Sequence, residues 1–200
     1  KFLTNRMVVA QLGSCSRSQN EALQFEALRA WFNFSFDNPT NQNMAMQNLG
    51  ASFLTLLLDA ANESLQLRAI GLIWNLTQHD AGSRCIFIDA GATQKLEVIL
   101  SRAMQEVLTS MSPPWGLVQL TLGALANLAM TCAASLKAKE SLLDVSQDLL
   151  AMQLVAPHAV QQQATRLLCN IISEGDVDPE WQANSYSYRS SAPREAVEVA

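Results

Sequence analysis

The stretch "AIGLIWNLTQHDAGSRCIFIDAG", residues 69–91, decides the fold. Its first half has the apolar spacing of a helix made for burial, yet it sets Asn75 in the most apolar turn, directly after Trp74. A polar break, "QHDAGS", follows; then comes a short segment, "RCIFIDAG", that stops on Gly91, and a further helical pattern, "ATQKLEVIL". The same succession stands upstream: "FEALRAWFNFSF" with Asn33, the break "DNPTNQ", the segment "NMAMQNLG" ending on Gly50, and "ASFLTLLLDAA". Gly50 and Gly91 fall where a residue of positive φ closes a short helix and turns the chain sharply.

Two more asparagine helices lie downstream, "LTLGALANLAMT" with Asn127 and "QATRLLCNIISE" with Asn170. Asn33 and Asn75 are 42 residues apart, Asn75 and Asn127 are 52, and Asn127 and Asn170 are 43. The long interval contains "TSMSPPWGL", a Pro-Pro insertion; removing about ten residues there restores a period typical of two- and three-helix solenoid repeats. The third unit, "CAASLKAKESLLDVSQDLL", lacks the glycine, which predicts a merged or irregular short helix. Upstream, "TNRMVVAQL" reads as the end of a preceding unit. From Gly175 onward the chain is polar and aperiodic, so residues 1–174 form the repeat domain and 175–200 a tail or linker.

Composition agrees with long helices. Of the 200 residues 49% are apolar and 16% charged, while Gly (8) and Pro (6) are too few for a strand-rich sandwich. The net charge of −5 and the lack of a basic block disfavour nucleic acid as a partner. Cys15, Cys85, Cys132 and Cys169 are widely spaced in apolar surroundings, as expected of buried, reduced thiols. That usage points to an intracellular setting, the cytoplasm, with the nucleus and cell cortex as alternatives. The uncharged run from Leu108 to Leu136 is long enough to span a bilayer. Its Pro-Pro break and polar punctuation at Gln119, Thr121, Asn127 and Thr131 instead suit the inner helix of a solenoid. A first residue that is lysine reads as a piece cut from something longer. No glycine-rich phosphate loop, serine elbow or His-Glu ligand pair is present, and His79 and His158 have no companion at metal-ligand spacing. A non-catalytic module without a cofactor or metal is expected.

The unit structure resembles the armadillo repeat family. The resemblance is carried by "LRAIGLIWNLTQHDAGSRCIFIDAGATQKLEVIL" and by "GALANLA", and it covers roughly residues 4 to 174. It implies an all-α, right-handed superhelical solenoid of about four repeats. "GLIWNLT" is similar to the Trp-Asn-Leu-Ser/Thr segment of the adenomatous polyposis coli and plakophilin branches, which implies adhesion, polarity or cytoskeletal signalling. Importin-α-like carriers share the fold but place tryptophan four residues before the asparagine, where this chain has Arg29, Gly71, Gly123 and Arg166. That departure argues against a nuclear transport adaptor; an Hsp70-type chaperone cofactor is the other alternative.

Helical spacing puts Leu65, Ala69, Leu72 and Leu76 toward the core and turns Ile70 and Ile73 to neighbouring units. It leaves Leu67, Gly71, Asn75 and Gln78 as a separate stripe. The matching stripes hold Phe25, Arg29, Asn33 and Phe36; Gln119, Gly123, Asn127 and Met130; and Gln162, Arg166, Asn170 and Ser173. Asparagine offers both a donor and an acceptor, the pair of groups an extended backbone presents. Helices pack about 8–10 Å apart and an extended chain advances about 6.6–7 Å per two residues, so an asparagine column can grip a peptide every two to three residues. The resemblance implies this role for Asn33, Asn75, Asn127 and Asn170. Leu67, Gln78, Gln119 and Gln162 line the same stripe, and Arg29 and Arg166 suit a ligand with acidic ends. In the competing reading the asparagines bond a neighbouring unit's carbonyl, the arginines pair with Glu26 and Glu174, and the glycines permit close packing. Trp31 and Trp74 are assigned to the core, and Trp115 to the insertion's edge. The uncovered flank of the last helix predicts cover by the tail, by another chain through self-association at a terminal repeat, or by residues beyond this sequence.

Overall fold

A computed structural model describes residues 6–130 and 156–172. Among the described residues there are nine helices and no strand. Helices α1 (Arg6–Cys15) and α2 (Glu21–Ser35) complete the first repeat. The second comprises α3 (Pro39–Leu49), α4 (Ala51–Leu57) and α5 (Glu63–Leu76). The third comprises α6 (Ala81–Asp89), α7 (Ala92–Thr109) and α8 (Trp115–Ala129). The last, α9 (His158–Ile172), carries the fourth asparagine. The short helix expected within "CAASLKAKESLLDVSQDLL", Cys132, Ser173 and the 175–200 tail lie outside the described residues. The chain divides into two compact units, Lys1–Ile99 and Leu100–Ala200.

Local chemistry sets the helix starts. Asn20 Oδ1 accepts the Leu23 N–H (3.2 Å), and Asn38 Oδ1 accepts that of Asn41 (3.0 Å), with Pro39 opening α3. Asn62 Oδ1 accepts from Ser64 and Leu65, and the Asp80 carboxylate from Gly82 and Ser83. Each cap satisfies N–H groups that have no partner within the first turn of their helix. Gly50 (φ 76°) and Gly91 (φ 80°) have positive φ as the sequence predicted, and Gly50 joins α3 to α4 with no intervening loop.

In the first unit Leu28 and Trp31 of α2, Leu49 of α3 and Leu54 of α4 are buried. So are Leu65, Ala69, Ile70, Leu72, Ile73 and Leu76 of α5 and Phe87 of α6, so α5 is enclosed on most sides, as its pattern requires. The repeat extends to individual hydrogen bonds. Gln24 Nε2 donates to the Ser16 carbonyl (2.9 Å), and Gln66 Nε2, 42 residues on, donates to the Leu58 carbonyl (2.6 Å). Gln42 Nε2 donates to Ser35 (3.1 Å) and Arg84 Nη1 to Thr77 (3.1 Å), again one period apart. All four acceptors lie at or just beyond helix C-termini, where no intrahelical N–H reaches them. These bonds fix the angle at which one helix leaves the next.

In the second unit α8 packs against α9. Val118, Leu122 and Leu125 of α8 are buried, as are Val160, Ala164 and Leu167 of α9. Gln161 Nε2 donates to the Ala156 carbonyl (2.8 Å), the same device as Gln24 and Gln66. Among the described residues no helix is long and apolar enough to cross a membrane. Cys15, Cys85 and Cys169 take part in no disulfide among the described residues and are half-buried, where the sequence predicted thiols sealed in the core.

Candidate functional site

The asparagine helices pack side by side within each unit. At the N-terminal ends of α2 and α5, Asn62 Nδ2 donates to Glu21 Oε2 (2.7 Å). At the C-terminal ends, Asn75 Nδ2 donates to the Phe32 carbonyl (3.0 Å) and lies 3.3 Å from Ser35 Oγ. Between these ties the Arg68 guanidinium sits over the Phe25 ring, 5.0 Å from its centroid. Gly71 leaves space for the Phe32 ring: a Cβ at that position would lie 2.8 Å from Phe32 Cε2.

The second unit repeats the same register. Asn170 Nδ2 donates to the Ala126 carbonyl (2.7 Å), and Arg166 Nη2 donates to Asn127 Oδ1. In both units the amide reaches the residue just before the preceding repeat's asparagine. Phe32 and Ala126 are each fourth from the end of their helix, so their carbonyls belong to the set that lacks an intrahelical donor. The asparagine therefore caps the neighbouring helix from the side.

This changes the geometry expected of the stripe. Asn75 is 5% exposed, and Asn127, Asn170 and Gln78 are buried, rather than open to solvent. Packing of successive helices closes over that face, and a short amide at its edge meets a carbonyl that no intrahelical N–H reaches. Asn33, in the first repeat, is exposed, and its side chain makes no hydrogen bond among the described residues. Arg29 is exposed and paired with Glu26 at 2.6 Å. Arg166, half-buried, spans Gln163 (3.3 Å) and Asn127. Leu67, Gln119 and Gln162 are half-buried, each at an equivalent position of its helix.

Trp31 is buried as assigned, but Trp74 is not. From Leu65 to Gln78, Leu67 and Trp74 alone escape burial. They stand seven residues apart and so share one face of α5. Their counterparts on α2, Phe25 and Phe32, are half-buried too. The solvent-facing strip of the first unit is thus apolar and aromatic, and the asparagine lies beside it. The error with Trp74 came from counting it away from the asparagine stripe, when the asparagine itself turns toward the preceding helix.

Arg68 escaped the sequence reading, although it precedes Asn75 by seven residues and must share its face. Burial pushes its guanidinium below the usual range, the nearby charge of Arg29 adds to this, and Glu26 opposes it. The ring of Phe25 provides the flat apolar bed such a side chain needs. Among the described residues no three His, Cys, Asp or Glu side chains gather as a metal site would require.

No protein-family model and no curated protein matches the chain. Solved structures do match. A designed armadillo repeat protein in complex with a (KR)4 peptide superposes with a TM-score of 0.66 at 20% identity, covering 98% of this chain and 80% of its own. Computationally designed armadillo repeat proteins for modular peptide recognition match with a TM-score of 0.65 at 19% identity, covering 94% and 77%. A further designed armadillo repeat protein covers 95% of both chains, with a TM-score of 0.57 at 17% identity. The helix order, the period near 42 residues and these superpositions agree: the fold is an all-α helical solenoid of the armadillo-repeat type.

Proposed function

We propose that the chain is a non-catalytic protein-interaction scaffold that binds an extended segment of a partner protein along its asparagine-bearing helices. The observation that carries this reading is the solvent-facing strip of the first unit. On α5 only Leu67 and Trp74 reach solvent between Leu65 and Gln78, beside half-buried Phe25 and Phe32 of α2. Large apolar side chains at the centre of a contact, Trp above all, carry most of the energy in protein recognition. The armadillo fold supports the same reading, since designed proteins of this fold include one in complex with a peptide and others made for peptide recognition.

The asparagines enter with a divided role. The amide nitrogens of Asn75 and Asn170 hold the repeats together, and their Oδ1 atoms remain to accept a ligand N–H. At Asn127 the oxygen already receives Arg166. Arg29, exposed on α2, favours a ligand with an acidic residue beside an apolar one, unlike the basic peptide of the designed protein. An intracellular role in adhesion, polarity or cytoskeletal signalling completes the proposal, resting on the Trp74–Thr77 segment.

The test is a peptide-display selection on the purified chain, followed by titration of the selected peptide. Trp74→Ala and Leu67→Ser should each weaken binding about tenfold or more, close to 1.4 kcal/mol, with helical circular dichroism unchanged. Equal affinity in both variants would remove the strip from the site.

A further inference from the structure

We infer that Ser112 is a phosphorylation site, its hydroxyl the acceptor for a proline-directed protein kinase. The inference concerns the insertion between α7 and α8 and is independent of the peptide reading.

The insertion is what lengthens one repeat interval from 42 to 52 residues. Gly50 and Gly91 precede equivalent helices, yet α4 has 7 residues and α7 has 18. The added length ends in a turn, "SMSPP" at residues 110–114, that leads into α8. Leu108 and Met111 are exposed there, Met111 completely. Thr109, Ser110 and Ser112 each bring a hydroxyl to this segment, and the structure separates them. Thr109 is held inside α7, its Oγ1 donating to the Gln105 carbonyl (3.2 Å). Ser110 is half-buried, and its hydroxyl accepts the Ser112 N–H and donates to the Ser112 carbonyl, each at 3.1 Å. That clasp holds the backbone of Ser112, whose own hydroxyl makes no hydrogen bond among the described residues and belongs to an exposed residue.

A kinase takes its substrate as an extended segment, so a hydroxyl locked in a helix is out of its reach. Ser14, Thr40, Ser52, Ser101, Thr109 and Thr165 are exposed but lie within helices. Among the described residues Ser112 is the one exposed serine or threonine outside a helix. Pro113 restricts the residue before it to extended backbone, the conformation such a groove accepts. Ser112-Pro113 is also the only Ser-Pro or Thr-Pro pair in the chain. No charged residue occurs from Val107 to Met130, so a kinase that reads adjacent basic or acidic residues finds none, and the proline is the recognition element left. In the transfer Ser112 Oγ attacks the γ-phosphorus of ATP and an Oγ–P bond forms. The bond from that phosphorus to the bridging oxygen breaks, ADP leaves, and the hydroxyl proton passes to the kinase's catalytic carboxylate. A phosphoserine carries a charge of about −1.5 to −2 at neutral pH. An uncharged apex thereby becomes anionic beside the exposed Met111.

The test treats the intact chain with a purified proline-directed serine/threonine kinase, ATP and magnesium, and locates phosphate by fragment mass spectrometry. Phosphate is expected on Ser112, at a rate comparable to that of a synthetic peptide spanning residues 107–117, in which the hydroxyl is fully accessible. Ser112→Ala should leave this segment unmodified, and Pro113→Ala should be modified far more slowly than wild type. Ser110→Ala should still be modified, since the acceptor and its proline remain. Helical circular dichroism confirms that each variant is folded. A wild-type chain left unmodified at Ser112 while the peptide is modified overturns the inference, as does a peptide that the kinase leaves untouched. So does a Pro113→Ala chain modified as fast as wild type, or phosphate on Thr109 or Ser110 in place of Ser112.

Discussion

Asn75 shows how one side chain can be read correctly as chemistry and misplaced as geometry. Its amide was expected to face a foreign backbone, and instead it serves the backbone of its own molecule, at Phe32. Asn75→Ala removes that bond and the contact with Ser35 Oγ, and leaves the Phe32 carbonyl with the Ser35 hydroxyl as its remaining donor. The expected loss is about 0.5–1.5 kcal/mol, measurable as a lower urea midpoint at unchanged slope. Gly71 has an equally local reason: the Phe32 ring occupies the volume a side chain would need. Gly71→Ala should destabilise by about 1–3 kcal/mol through overpacking. Phe32→Leu in the same background should return part of the loss, a coupling that a double-mutant cycle would measure.

Elements are set by their ends. Asp80 caps α6 with bonds to the hydroxyl and N–H of Ser83 and the N–H of Gly82. The Ser83 hydroxyl leads, with that residue's N–H next, in holding the carboxyl below its ordinary range. A depressed carboxylate stabilises the fold above the unfolded value, about pH 4, and that contribution is lost as pH falls through the lower folded value. A thermal-melt series from neutral to acid pH should therefore show a smaller acid-side drop for Asp80→Asn, which still caps the helix but cannot titrate. Gly50 makes a second prediction at this scale. With φ 76° and no neighbour within 4 Å of the place a methyl would occupy, Gly50→Ala should cost about 1–3 kcal/mol from backbone strain alone. Little change in its melting temperature would mean that the α3–α4 junction relaxes.

For the whole molecule, repetition makes stability close to a sum of local terms. Asn75 and Asn170 tie different pairs of helices and share no partner. Their alanine substitutions should therefore add to within about 0.5 kcal/mol, and a larger discrepancy in the double variant would show the two ties to be coupled.

The period of the asparagine helices and the two positive-φ glycines follow from local rules. Spacing along one helix and the chemistry of a single turn were enough to place them, and the all-helical solenoid with them. The core set of α5 was legible for the same reason, since burial there follows the helical repeat. Which of the remaining faces meets solvent is a different kind of question. A helical wheel orders α5 into stripes but has no term for where α2 lies, and a rotation of one residue separates Asn75 from Trp74. Tertiary packing settled it: the Phe32 carbonyl, beyond the reach of an intrahelical N–H, took the amide, the Phe32 ring filled the space above Gly71, and Leu67 and Trp74 were left facing water. The sequence alone determined what repeats and how often, because that is written in local periodicity; only the packed neighbours decided which side of each repeat is available to a partner.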